Sequence, residues 1–189
     1  AYASGLSTGI QTVYGGSAGT GIEWKPSMLP EGLDMRVHWS PDASGSGTAD
    51  KASSGGSATS GSSYDVTVEL GEAITGMAGL NIYGGIAQVN SEGTNNDGDR
   101  EESTVGASYA IGGFTLGYQW SEEDLGVSAN EQQYDNEGYG ITFAVNDDLS
   151  IGYNHYESKQ TSTTNVTAEA DSIQIAYSMG GASIRVMDA

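Results

Sequence analysis

The chain has no cysteine, 3 prolines, 2 histidines and 2 phenylalanines in 189 residues, and its Lys and Arg total only 6 against 25 Asp and Glu. Each scarcity excludes something. Without cysteine there is no disulfide framework, thiolate metal site or thiol nucleophile. A formal net charge of −19 excludes the basic face that nucleic-acid phosphates require. It also excludes docking on anionic lipid through a basic patch. No run approaches 18 consecutive apolar residues, so no transmembrane helix is expected. The first residues carry no basic-then-apolar signal sequence, and the sequence has no phosphate-binding glycine loop and no HExxH motif.

What is present is alternation. In Leu33-Asp34-Met35-Arg36-Val37-His38-Trp39 the apolar residues point one way and the polar ones the other, the period-two mark of a strand with one apolar face. Tyr64 to Leu70, Phe114 to Trp120 and Tyr139 to Val145 repeat it. Weaker versions run over Leu6 to Tyr14, Ile22 to Trp24, Leu80 to Gln88, Val105 to Ile111, Leu149 to His155, Ile173 to Met179 and Ala182 to Val186. Eleven strands follow, and no segment has helical spacing.

The connections alternate in length. Lys25–Gly32, Gly71–Gly79, Gly112–Gly113, Asn146–Asp148 and Gly180–Gly181 are short. Ser40–Ser63, Val89–Thr104, Ser121–Gly138 and Tyr156–Ser172 are long, and rich in Gly, Ser, Asn and acids. Only Gly15–Gly21 breaks the order. Short turns at one end and long loops at the other are the plan of a membrane barrel.

The faces agree with that plan. No Asp, Glu, Lys or Arg stands at an outward position of these runs, whereas the other face is small and polar (Ser7, Gly9, Thr67, Thr115, Gly117, Gly140, Thr142, Ser150, Gly152, Ser172 and Gln174). Trp24, Trp39, Tyr64, Tyr109, Trp120 and Tyr139 sit near strand ends, as aromatic belts at membrane interfaces do. Asp34, Arg36, His38, Asp65, Glu69 and Arg185 are the charged candidates for a pore wall.

Other readings compete. A secreted or surface-attached soluble all-β structural or adhesive protein would bury the same apolar face as a core. Acidic clusters at Asp97, Asp99, Glu101 and Glu102, at Glu122 to Asp124, and at Glu131, Asp135 and Glu137 are candidate Ca²⁺ ligands. Solvated charge explains them better, since the spacing departs from an EF-hand loop. Asn154-His155 with Ser158 is the one group resembling a hydrolytic set, but a triad is defined by geometry.

The stretches ESTVGASYAIGGFTLGYQW and EGYGITFAVNDDLSIGYNHYES resemble hairpins of the general diffusion porins of alphaproteobacterial outer membranes. DSIQIAYSMGGASIRVMDA resembles their penultimate hairpin. The resemblance implies an antiparallel transmembrane β-barrel in a Gram-negative outer membrane. It implies a homotrimer surrounded by lipid and lipopolysaccharide, passing ions and small hydrophilic solutes without cofactor or catalysis. The acid excess adds a weak preference for cations. Two departures stand out: no segment resembles the family's constriction loop, and the last residues lack a terminal aromatic. A porin of roughly 16 strands would need about 270 residues at this strand density. Residues 1–189 are therefore expected to be one barrel domain, incomplete at both ends.

Overall fold

The structure, a computed structural model, describes residues 21–41, 60–91, 98–126, 132–180 and 182–188. It is one antiparallel sheet of ten strands: β1 (Ile22–Trp24), β2 (Leu33–Ser40), β3 (Ser60–Leu70), β4 (Leu80–Ser91), β5 (Arg100–Ile111), β6 (Phe114–Asp124), β7 (Gln133–Ala144), β8 (Leu149–Thr161), β9 (Val166–Met179) and β10 (Ala182–Asp188). Each pairs with its neighbours in sequence, in the order β1 to β10. Among the described residues β1 and β10 each have one partner strand, so the sheet is open at both edges.

All ten alternating runs within the described residues are strands; the eleventh, Leu6 to Tyr14, lies outside them. The long loops are shorter than expected. The Ser121–Gly138 connection is strand as far as Asp124 and again from Gln133, and Tyr156–Ser172 narrows to a turn over residues 162–165. Alternation finds a strand only where one face is apolar. In these extensions neither face carries a run of large apolar residues, while the backbone ladder continues regardless of side chain.

The short turns have local causes. Gly112 (φ 57°) supplies the left-handed residue of the two-residue link between β5 and β6. At Asn146 the side-chain Oδ1 accepts the Asp148 and Leu149 N–H groups, both at 2.9 Å, an Asx turn. Between β3 and β4 stands α1 (Glu72–Thr75), a single turn closed by Gly76 in the left-handed region.

Every buried residue among those described lies on the polar face, from Ser40 and Ser63 through Ala87, Glu102 and Ser121 to Asn136 and Ser172. The sheet is therefore concave on its polar side. The apolar side is convex and open, with Trp39, Ile86, Leu116, Ile141, Ile151 and Ile175 all exposed. A soluble sandwich does the opposite, enclosing its apolar face between layers.

Candidate channel wall and lipid face

On the concave face, pairing gathers five of the six charged candidates. Glu23, His38 and Asp65 occupy one rung across β1, β2 and β3. His38 Nδ1 lies 3.1 Å from Asp65 Oδ2. Asp34 faces Glu69 across the ladder. It is ion-paired to Lys25, and Arg36 Nε stands 3.5 Å from its other oxygen. Glu69 accepts a bond from Asn81 Nδ2 at 2.9 Å. Arg185 is apart, on β10 opposite Ala176.

Sequence reasoning missed a second charged group. Glu102 and Glu123 are directly opposed on β5 and β6, both 7% exposed and on the concave face. Like charges so placed destabilise a sheet. Arg100 answers both, with Nη2 at 2.6 Å from Glu102 and in an ion pair with Glu123. Residues read as loop acids are thus part of the wall. The rest of that face, from β7 to β9, is uncharged, and its turn-side part is small: Gly140, Thr142, Ser150, Gly152, Asn154 and Ser172.

The convex face carries a continuous apolar band, and its course is informative. The rung Leu33, Leu70, Ile82, Ala107, Tyr118, Tyr139, His155, Asp171 runs across β2 to β9 without a register break. It begins in leucine and ends in a carboxylate. On β2 the band occupies Leu33 to Trp39, on the loop side of the rung; on β9 it occupies Ile173 to Met179, on the turn side. From β2 to β9 the band's centre moves about eight residues in seven strand steps. With a rise of about 3.4 Å per residue and about 4.8 Å between strands, strands crossing such a band lean about 40° from its normal. Strands of outer-membrane barrels tilt by about 35–45°.

Aromatic residues mark the band's loop-side limit: Trp39 on β2, Tyr64 on β3, Trp120 on β6, Tyr139 on β7 and Tyr153 on β8. Tyr109 lies one outward position from the turn after β5, near the stacked rings of Phe114 and Phe143, 4.5 Å apart. Trp24, beside a turn in sequence, pairs with Val37 in mid-band.

Beyond the limit the convex face becomes acidic: Glu101, Glu122, Asp124, Asp135, Glu137, Glu157 and Glu169. Lys159, 2.5 Å from Glu157, holds that carboxyl below its ordinary range and is itself raised by the same pair. Of the acidic clusters, Asp97 and Glu131 lie outside the described residues. Among the described residues no three acidic or His side chains converge as a metal site would require. The hydrolytic set does not assemble either. The pleat puts His155 on the convex face, bonded to Asp171 at 2.9 Å, and Asn154 and Ser158 on the concave one.

A family model described as Gram-negative porin matches residues 2–182, and no curated protein matches the chain. With its inverted sheet, sliding apolar band and aromatic border, the chain belongs to the Gram-negative porins, outer-membrane channels for passive diffusion.

Proposed function

We propose that this chain is an arc of a closed, water-filled barrel that passes ions and small hydrophilic solutes, prefers cations weakly, and works as a trimer. The observation that carries the reading is the inversion of the sheet, with every buried residue among those described on the polar face and large apolar side chains exposed on the other. Such a surface is stable only where hydrocarbon covers it. The edges at β1 and β10, each with one partner strand among the described residues, would be paired in the closed barrel, since lipid does not tolerate an unpaired edge.

Cation preference follows from the wall. Concave strand positions hold the carboxylates Glu23, Asp34, Asp65, Glu69, Glu102 and Glu123 against the guanidinium groups of Arg36, Arg100 and Arg185. An acid excess inside a low-dielectric wall raises the local cation concentration. Specificity beyond charge would come from lumen width, and the convex face would meet outer-membrane lipid and lipopolysaccharide.

The test is single-channel recording of the native, detergent-extracted protein in a planar bilayer under a salt gradient. Stepwise openings in threes, with a small reversal potential of cation-selective sign, are expected. A protein that stays soluble without detergent and never conducts would overturn the reading in favour of a secreted β-protein.

A further inference from the structure

Of the aromatic residues on described strands, Tyr83, Tyr134 and Tyr156 alone point to the concave face. Two of them share a rung. Across β4 to β8 that rung reads Tyr83, Gly106, Gln119, Gly138, Tyr156. The ring of Tyr83 folds over its neighbour: a Cβ built on Gly106 would lie 2.4 Å from Tyr83 Cζ and 2.8 Å from Cε2. Only glycine opposite leaves room for the ring to lie against the backbone, and a ring so laid turns its other π face to the water inside.

Amide groups fix these rings. Tyr83 Oη donates to Gln119 Oε1 at 3.0 Å, and Tyr156 Oη donates to Asn136 Oδ1 at 3.0 Å. One position further along, Gln160 Nε2 donates to Tyr134 Oη at 2.9 Å. Because Gln119 accepts through Oε1, its Nε2 hydrogens have no partner among the described residues. No charge interrupts the Tyr83–Tyr156 rung, whereas the β1–β3 wall is dense with charge.

We infer that this strip is a solute-binding subsite for uncharged polyhydroxylated molecules, that is, oligosaccharides. The chemistry matches on both counts. A sugar ring presents an apolar C–H face suited to lie on an aromatic ring, and hydroxyl groups that both donate to and accept from primary amides. A simple ion gains nothing from either group. Adjacent strands are about 4.8 Å apart, so the backbone positions of the two tyrosines, four strands apart along the rung, stand about 19 Å from each other. Tyr83 leans over Gly106 on β5 and Tyr156 toward Asn136 on β7, which leaves the rings about two strand spacings, about 10 Å, apart. That span fits a chain of two or three sugar units better than one. The inference rests on the channel reading above, because the strip must line a lumen.

The experiment is the same bilayer recording with maltohexaose added to one side, and a polyethylene glycol of similar mass as the control for simple volume exclusion. Maltohexaose is expected to reduce the open current in a saturable manner, whereas the polymer reduces it only in proportion to concentration. Tyr83→Leu and Tyr156→Leu should each weaken the sugar half-saturation by tenfold or more while ion conductance stays within twofold. Tyr83→Phe, which keeps the ring and loses the Gln119 bond, should stay within threefold of the parent. Sugar block equal to polymer block, or leucine variants that bind like the parent, would overturn the subsite while leaving the channel intact. Absence of any conductance would instead strike at the channel reading itself.

Discussion

Strands β2 and β9 belong to one unbroken sheet, yet they present opposite ends to lipid and opposite chemistry to the concave side. On β2 the apolar run begins at the turn and ends at Trp39 where the long connection starts; the concave side carries Asp34, Arg36 and His38. On β9 the apolar run occupies the turn-side half; the loop-side half is polar on the convex face, with Thr167, Glu169 and Asp171, and small and uncharged within, with Ala168, Ala170 and Ser172. A ladder that keeps its register while its apolar run slides is a sheet crossing a slab at an angle. The difference therefore says how the strands sit in the membrane, which neither strand discloses alone.

The sharpest way to break this comparison uses two positions on one rung. Ala107 on β5 lies in mid-band, and His155 on β8 lies outside it. Ala107→Arg should destabilise the protein refolded in lipid vesicles by about 2–4 kcal/mol, and His155→Arg by about 0–1 kcal/mol. His155→Arg also places a guanidinium beside Asp171. Denaturant unfolding in vesicles measures both. Equal costs would mean that the band follows the rung, and the tilt derived from it would fall.

The next effect concerns the charged half of the wall. Arg100→Met leaves Glu102 and Glu123 opposed and mostly buried without their shared cation. Losing the partner of a buried polar group costs about 1–3 kcal/mol, and the lumen water keeps the figure at the lower end. The same unfolding measurement should recover most of that loss in Arg100→Met combined with Glu123→Gln.

How much of this was legible beforehand is clear from these residues. The turn-side halves of β5 to β9 announced themselves because Ile111, Leu116, Ile141, Ile151 and Ile175 alternate with small polar residues. The clustering of Asp34, Asp65 and Glu69 was also foreseeable, since adjacent antiparallel strands share a face. Glu102 and Glu123 were not, because their strands are polar on both faces there and alternation has nothing to detect. Tyr153 as a border residue, the partnership of Tyr83 with Gly106, and the sliding band need register. Register is a relation between strands and has no signature within one of them.

Ion selectivity separates the two halves of the wall more gently. Neutralising Asp34 and Glu69 together, by Asp34→Asn and Glu69→Gln, removes two carboxylates and frees Lys25 and Arg36 from Asp34. The cation-to-anion permeability ratio should fall about twofold. Thr142→Val and Asn154→Ala on the neutral wall should leave it unchanged. Reversal potentials in a salt gradient read both, and an equal response from the two walls would erase the distinction between them.

The smallest effect lies above the band on β8, where Lys159 depresses the Glu157 carboxyl. A folded-state pKa held below the unfolded value contributes stability that is present above the unfolded pKa and lost as pH falls through the folded one. Here that window opens below the ordinary glutamate value of 4.5. Lys159→Met should raise the Glu157 midpoint, followed by NMR in detergent micelles, toward the ordinary value of 4.5, because the hydrogen bond and charge of Lys159 are what chiefly hold it down. Because both groups stand in water, 0.15 M salt should shrink the shift in the parent protein as well. A Glu157 midpoint insensitive to Lys159 would show that the Lys159–Glu157 pair on this stretch of β8 does not form, and the contrast between the two halves of the strand would lose its loop-side anchor.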